Sequence, residues 1–357
     1  MSATESKSRF DRLKALFVLA AFGAGLVSAL QSHVNGSFTS YLNAPLAAAE
    51  PRNGIVVAVI SFASAALILT AMLACVPKAR QGVGRVWASL RAGRLKATDA
   101  DKSRHPGVAG IGRLRWFQVI GGAAGGLFVA SQSITVGALG ISMFVVATTA
   151  GQSVSSLFCD RLGFAPGGQR PITVFRAIGP ALAISAILVA QWTRLGNLDQ
   201  WYLLALPIIA GVCVAAQHAV NGRVETTAAT DIVGDHTYRL SGALSATFIN
   251  FVVGTIALAV VAAIALAVSG LPTTAFPGQW WMYTGGVLGA LFIGTAAAVV
   301  HKIGVLLLAL SLIAGQISGG VLLDVTVRGQ DLPLTSIIAV ALTFCAVAVP
   351  ASTTRAK

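Results

Sequence analysis

Ten apolar stretches, each about 20 residues long, divide this chain of 357 residues and constrain its fold more than any other feature. A helix of about 20 apolar residues can cross roughly 30 Å of hydrocarbon. The sequence therefore predicts an all-α polytopic membrane protein with ten transmembrane helices. The predicted spans lie near residues 15–38, 54–76, 116–137, 141–159, 174–193, 202–222, 241–269, 280–300, 303–323 and 334–350.

The charge content excludes several classes of protein. Only 10% of the residues are charged, against about 25% in globular proteins, so a soluble enzyme is not expected. The net charge of +13 does not predict a nucleic-acid partner, because most of the chain has no basic residues for a wetted face. The four cysteines lie in or beside apolar runs and are interpreted as packing residues. We expect no catalytic residue, no cofactor and no metal site.

Basic residues predict the orientation in a bacterial inner membrane. With the N-terminus inside, 22 Lys and Arg fall in cytoplasmic segments and 3 in outer segments. This positive-inside pattern predicts cytoplasmic tails at residues 1–14 and 351–357. The first span could also be a signal peptide, but the recurrence of this segment in mid-chain favours a membrane span.

Two halves of the chain repeat each other. At an offset of 164, Trp116 matches Trp280, Gly121, Gly122 and Gly125 match Gly285, Gly286 and Gly289, Gly140 matches Gly304, Gly151 and Gln152 match Gly315 and Gln316, and Asp160 matches Asp324. At an offset of 186, Gln31, Asn35 and Gly36 match Gln217, Asn221 and Gly222; Phe62 matches Phe251 at 189. The offset falls along the chain because the first half contains a charged insertion, residues 77–115, where the second half has only a short loop.

Each half contains five spans, so the second half enters the membrane from the opposite side. We predict two inverted five-helix repeats, residues 15–193 and 202–350, an architecture typical of alternating access around a central site. The insertion is interpreted as a solvated cytoplasmic loop with some helix near residues 83–95. An amphipathic segment lying on anionic lipid is the alternative.

On these repeated residues the chain resembles the drug/metabolite transporter (DMT) superfamily, and more narrowly the fused form of its YdcZ-type inner-membrane exporters. The resemblance covers nearly all of the chain outside the first dozen residues and the insertion. It implies an EamA-like bundle of ten helices around a central cavity, with the fifth and tenth helices peripheral. Related small multidrug resistance proteins couple export to protons through a glutamate in the first helix. Because residues 15–38 contain no acid, that mechanism is not expected here.

Glutamines inside the spans are the candidate substrate ligands, since an amide both donates and accepts hydrogen bonds. Gln152 and Gln316 occupy equivalent positions near the middle of their spans, and a bridge between helices is the alternative role. Gln132 has no repeat counterpart, because Ala296 occupies the matching position. This asymmetry could determine substrate preference.

The Gln-x-x-x-Asn pairs place two amides on one helix face. Gln31 with Asn35, and Gln217 with Asn221, could close the two mouths of a pathway alternately. For the asparagines the sequence favours a helix C-cap, because each precedes a glycine.

Two symmetric carboxylates, Asp160 and Asp324, lie one at each predicted membrane face. The adjacent Arg161 favours an exposed ion pair or an interfacial anchor, and gating or ion coupling is the alternative. Small-residue motifs indicate helix packing; they contain Gly121, Gly122, Gly125, Gly126, Gly285 and Gly289. His33, His218 and His301 occupy unmatched positions, which disfavours a metal site but leaves a proton relay open.

The combined features predict a secondary transporter of a small polar organic metabolite, with membrane lipids around it. No Walker-type sequence is present to supply ATP hydrolysis. A flippase for a lipid-linked intermediate, with Arg176 and Lys302 as its basic groups, and a non-transporting membrane scaffold are the alternatives. Two copies could associate through the fifth and tenth spans, although the fused pair needs no partner to form a cavity.

Overall fold

The computed structural model describes residues 3–46, 50–92, 114–190, 201–229, 236–327 and 334–353. All regular structure in these ranges is helical. The α-helices are α1 Ala3–Asn43, α2 Pro51–Cys75, α3 Pro77–Ala92, α4 Trp116–Val119, α5 Gly121–Leu162, α6 Val174–Ala190, α7 Ala205–Ala228, α8 His236–Ser269, α9 Gly285–Thr326 and α10 Leu334–Thr353. Short 3-10 turns, Trp201–Leu204 and Trp280–Tyr283, precede α7 and α9.

Six helices in the described part of the chain are long and apolar enough to cross a membrane. They are α1, α2, α7, α8, α9 and α10, and α6 is a shorter apolar helix. Large apolar side chains such as Leu67, Ile264 and Val268 are exposed on their outer surfaces. Such surfaces are stable when hydrocarbon rather than water surrounds them.

The third and fourth predicted spans both lie in α5, and the eighth and ninth are two helix segments of α9 that meet at a break. Helices α5 and α9 each contain 42 residues, about twice the roughly 20 residues that one membrane crossing requires. The third and fourth spans are separated only by Ala138, Leu139 and Gly140, whereas His301 and Lys302 separate the eighth and ninth. In α9 the break is at Gly304, where φ is 84° and ψ is 169°, a conformation essentially restricted to glycine.

Helix α9 forms the centre of the molecule. Every residue from 303 to 315 is buried, as expected for a helix segment that is apolar on all sides. Helices α6 and α10, the fifth and tenth predicted spans, pack against each other within the chain, with Gly179 close to Ala346 and Pro350. A homodimer through these two helices would therefore have to use their other faces.

The interpretation of the insertion as a solvated loop is wrong for its first part. Residues 77–92 form α3, and one stripe of this helix is buried against α7 and α8. The physical reason is amphipathicity, because small and apolar residues recur at helical spacing on one side. The rest of the insertion up to residue 113 lies outside the described residues.

The bundle has two ends, which we name by their contents. The α3 face contains α3, the end of α7 at Ala228 and the loop between α5 and α6, residues 163–173. The opposite face contains the loops after α1 and α8, where Thr274 donates a hydrogen bond to Leu42 O at 2.9 Å.

Candidate functional site

The two Gln-x-x-x-Asn pairs lie inside long helices rather than at helix ends. Helix α1 continues past Asn35 to Asn43, and α7 continues past Asn221 to Ala228. The C-cap interpretation of these asparagines is therefore wrong, because the residues after each Asn-Gly pair remain helical. Their side chains are free to contact neighbouring helices.

A buried hydrogen-bond network contains the second pair. Gln217 Nε2 and Asn221 Nδ2 both donate to Asn250 Oδ1 on α8, at 2.9 and 3.0 Å. Sequence reasoning missed Asn250 because it belongs to no motif. The available signal was its position directly before Phe251, whose counterpart Phe62 follows Ser61 in the first half.

Each amide pair packs against the glycine motif of the other half of the chain. Added at Gly121 or Gly125, a Cβ would lie 2.9 Å from Asn221 Oδ1 or 3.3 Å from Gln217 Nε2. In the same way, Cβ atoms at Gly285 and Gly289 would crowd the amide groups of Asn35 and Gln31. The absence of side chains at these four glycines lets the amides lie against the facing backbone.

The two equivalent pairs differ in burial. Gln217 and Asn221 are each only 4% exposed, whereas Gln31 and Asn35 are partly exposed. Between the pairs, the matched residues Phe62 and Phe251 contact each other, with ring centroids 4.9 Å apart. This contact joins two residues that match each other at an offset of 189 in the sequence.

The remaining candidate glutamines lie beside two points where helices cross closely. Gly25 on α1 approaches Gly315 on α9. Gly211 on α7 approaches Thr148 and Gln152 on α5. Next to the first crossing, Gln316 Nε2 donates to Ser28 Oγ at 3.0 Å. This contact bridges two helices, which is the alternative role considered for the glutamines.

Gln152 is buried beside the second crossing, and Gln132 is partly buried on α5. The structure thus distributes Gln152 and Gln316 over two different crossings. By contrast, it unites Gln217 and Asn221 in one network.

A cavity of about 560 Å³ opens near the first amide pair, towards the opposite face. Leu30, His33 and Val34 of α1 form one wall. The other wall contains Trp281, Thr284, Leu288 and Val327, around the two ends of α9. The lining is therefore largely apolar, with His33 as its titratable group.

Asp160 is buried at the α3 face. It does not form the exposed ion pair with Arg161 that the sequence favoured. Its carboxylate accepts hydrogen bonds from the backbone N–H groups of Val305, at 2.7 Å, and Leu306, at 3.3 Å. It also forms an ion pair with Arg176, while Arg161 is exposed. Asp160 thereby caps the helix segment that begins after the break at Gly304, where a negative charge is stabilised by the N-terminal N–H groups.

Two arginines complete the contacts between the halves at this face. Arg170 donates to the carbonyls of Ile303 and Lys302, the second at 3.3 Å. Arg223 on α7 donates to Phe164 O and, at 2.6 Å, to Gly163 O. We call these contacts of Asp160, Arg170 and Arg223 the interhalf latch, since each joins residues of one half to backbone groups of the other.

Arg170 occupies a loop, and its burial lowers the pKa of the guanidinium from the ordinary value, an effect that the nearby Asp160 carboxylate opposes. Asp324, the repeat counterpart of Asp160, is partly buried in the last turn of α9.

The three intramembrane histidines lie in different environments. His33 lines the cavity, His218 is buried against the Phe292 ring, and His301 Nδ1 lies 3.5 Å from Glu225 Oε2. Over the described ranges, no three His, Cys, Asp or Glu side chains form a group that could hold a metal ion. The buried Glu225 was not identified from the sequence, because no acid occurs at the matching position of the first half.

Comparison with known proteins identifies the family. The model described as "Putative inner membrane exporter, YdcZ" matches residues 100–189 and 202–349, which is more than half of the chain. The match starts at residue 100, so it covers less than the resemblance suggested, and α1 and α2 fall outside it. No curated protein matches the chain.

One solved structure, described only as the crystal structure of a protein, has a similar fold. It superposes with a TM-score of 0.57 over 95% of this chain and 96% of its own, at 14% sequence identity. At this identity the similarity concerns the fold alone. The family match has a wider meaning: the chain is a multi-pass membrane protein that belongs to the YdcZ family of inner-membrane exporters in the drug/metabolite transporter superfamily.

Proposed function

We propose that this protein is a secondary transporter that moves a small organic metabolite out of the cell by alternating access. In this proposal ten membrane crossings form two inverted five-helix repeats. Membership of an exporter family favours transport over an enzymatic role. Contacts between helices support the proposed architecture, and the unequal burial of the two amide pairs supports the proposed mechanism.

Contacts of α1 with α9 support two crossings by α9. Asn35 lies at Gly285 and Gln31 at Gly289, so the first segment of α9 runs antiparallel to α1. Gly25 lies at Gly315, and Ala29 at Gly319, so the second segment runs parallel to α1. The chain therefore reverses direction within α9, at the break at Gly304.

The contacts of α7 with α5 repeat this pattern. Asn221 lies at Gly121 and Gln217 at Gly125, an antiparallel arrangement. In the later part of α5 the order is parallel, with Ile208 at Gly151 and Val212 at Ser155. Counting α5 and α9 twice, and α1, α2, α6, α7, α8 and α10 once, gives ten crossings in two halves of five.

The unequal burial of the two amide pairs is the observation that carries the mechanism. Equivalent residues on symmetric halves have similar surroundings if the structure is static and symmetric. Here Gln217 and Asn221 are buried and bonded to Asn250, whereas Gln31 and Asn35 are partly exposed. Inverted repeats that exchange these two environments would expose one central pathway to each side in turn.

Orientation follows from the basic residues. We propose that the α3 face is cytoplasmic, with both termini, because 22 of the 25 Lys and Arg lie on that side of the predicted topology. The interhalf latch and the buried amide network then close the cytoplasmic mouth. In this proposal the structure is the conformation that is closed to the cytoplasm.

Gln31 and Asn35 are the leading substrate ligands in this proposal, and the adjacent cavity receives the apolar part of the solute. Gln152, Gln316 and Gln132 remain candidates deeper in the bundle. Asn221 with Gln217 forms the opposing gate. Asp160 acts in gating through the latch, and Asp324 is proposed as its counterpart at the outer face.

Transport can be tested once the solute is known. Metabolite profiles of cells with and without the gene would select candidate solutes, and their flux would be measured in liposomes containing the purified protein. We expect flux to be lost in Gln31→Ala and reduced in Gln152→Ala and Gln316→Ala. The control is Gln81→Ala, an exposed amide on α3, which keeps normal flux. Undiminished flux in all three variants would contradict the site assignment, and a protein without any flux would favour the scaffold.

A flippase is the second candidate, since the apolar cavity lies beside α1 near one face. The ion pair of Arg176 with Asp160 weighs against it, because that guanidinium was one of two basic groups available for a lipid phosphate. Transbilayer movement of a fluorescent phospholipid in the same liposomes would distinguish the two functions.

A further inference from the structure

Helix α3 has two stripes with opposite properties. The first stripe contains Ala79, Gly82, Val86 and Ser89, all buried, at the spacing of one helix face. Val86 packs with Val224 and Ala228 of α7 and Ala246 of α8. One side of α3 is thus held against the ends of two membrane helices.

Hydrogen bonds fix how α3 is rotated about its own axis. Ser245 Oγ on α8 donates to Ala79 O at 2.8 Å, and Arg85 Nε donates to Ala228 O at 2.9 Å. A Cβ at Gly82 would lie 3.2 Å from the Ala228 side chain, so α3 approaches α7 closely at this point. These contacts determine which residues point away from the bundle.

The second stripe points away from these contacts. Arg80, Gly84, Trp87 and Arg91 follow each other at intervals of four, three and four residues, and all are exposed. Trp87 is 57% exposed, an unusual position for the largest apolar ring in a segment surrounded by water. Two guanidinium groups flank this indole on the same side of the helix.

The connection to α2 places this stripe at the membrane surface. Helix α2 ends at Cys75 and α3 begins at Pro77, with only Val76 between them. Since α2 is a candidate membrane span, α3 starts where the hydrocarbon ends. Tryptophan is enriched at that level of the bilayer, and arginine binds phosphate groups through several N–H donors at once.

We propose that the exposed stripe of α3, formed by Arg80, Trp87 and Arg91, binds anionic phospholipid headgroups at the membrane surface. The indole lies at the headgroup level, and the two guanidinium groups bind lipid phosphates on either side of it. The second half of the chain has only a short loop where the first half has residues 77–115, so the site has no repeat counterpart. Because the buried stripe contacts α7 near Ala228, bound lipid would also hold the cytoplasmic end of that helix. The proposal does not depend on transport activity.

Lipid-dependent fluorescence of Trp87 tests the site. The full-length protein is reconstituted in vesicles of phosphatidylcholine alone, and in equimolar phosphatidylcholine and phosphatidylglycerol. Subtracting the emission of Trp87→Phe isolates Trp87 from the other tryptophans. We expect brominated phosphatidylglycerol to quench Trp87 more strongly than brominated phosphatidylcholine. Arg80→Gln and Arg91→Gln should each weaken this preference about fivefold.

Arg161→Gln provides the matched control, because it removes the same charge from an exposed position on α5 at the same face. It should leave the quenching of Trp87 unchanged. Equal quenching of the unmodified protein by both lipids would overturn the proposal, since it would show insertion without headgroup selection. Absence of quenching by either lipid would also overturn it, and would indicate a stripe that faces water or a protein partner.

Discussion

Asp160 shows how one side chain can organise a break in a buried helix. The N–H groups of Val305 and Leu306 begin a helix segment at the α3 face, where both residues are buried and their N–H groups need acceptors from the protein. The carboxylate supplies both acceptors, and Arg176 balances its charge. A group with these partners contributes mainly by keeping other buried groups satisfied.

We therefore expect Asp160→Asn to destabilise the protein strongly. The amide cannot balance Arg176, and breaking a buried ion pair typically costs about 3–5 kcal/mol. The measurement is the midpoint temperature of unfolding in detergent, compared with Arg161→Gln. The control should melt like the unmodified protein, because Arg161 is exposed. Similar melting of both variants would refute the capping role.

The sequence selected the candidate residues, but it did not predict most of their contacts. The repeat identified Gln31, Asn35, Gln217 and Asn221, together with the glycines, because the same types recur at fixed offsets. It could not identify Asn250, which is replaced by serine at the matching position of the first half. A hydrogen bond between distant helices leaves no local pattern, so such partners emerge only from tertiary packing.

Helices α5 and α9 show where sequence patterns fail at the level of the element. Apolar length predicts two crossings in each of them; in α9 the polar residues His301 and Lys302 separate the two predicted spans, whereas no polar residue or proline separates those of α5. Glycine was the available signal, since Gly140 and Gly304 are repeat counterparts. For α3 the sequence prediction was wrong for a different reason. The high charge of the segment obscured a short apolar stripe that packs on the bundle.

Gly304→Ala should be more damaging than an alanine substitution at a glycine of α9 that has open space around it. A side chain at φ 84° is strained by about 1–3 kcal/mol, and its Cβ would also crowd the Arg170 guanidinium. The control is Gly320→Ala in the same helix, where a Cβ meets nothing within 4 Å. Detergent melting curves should show a lower midpoint for Gly304→Ala alone. Equal stability of the two variants would mean that the break does not require glycine.

At the scale of the whole molecule, the two halves are similar in sequence but closed to different extents. The cytoplasmic side of the proposed topology has Arg170 and Arg223 bound to backbone carbonyls of the opposite half. At the position matching Arg223 the first half has Ser37, which cannot make the same charged contact. The latch is thus built on one side, and it should favour the conformation closed to the cytoplasm.

Removing the latch should shift the protein towards the opposite conformation. A charge-assisted hydrogen bond contributes roughly 1.5–3 kcal/mol, so Arg170→Gln with Arg223→Gln should change the ratio of conformations at least about tenfold. Cysteine reporters at matched positions can detect this in a chain whose native cysteines are replaced by alanine. His33→Cys lies at the cavity, and Ala219→Cys, 186 positions later, is fully buried.

With the latch intact, a charged maleimide should label the reporter at position 33 and spare the one at 219. Without it, labelling at 219 should rise while labelling at 33 falls, because inverted halves that share one pathway cannot be open on both sides. Arg161→Gln controls for the loss of charge and should change neither rate. An increase at 219 with no decrease at 33 would show that the latch only stabilises its own end of the bundle, and alternating access would lose its structural support.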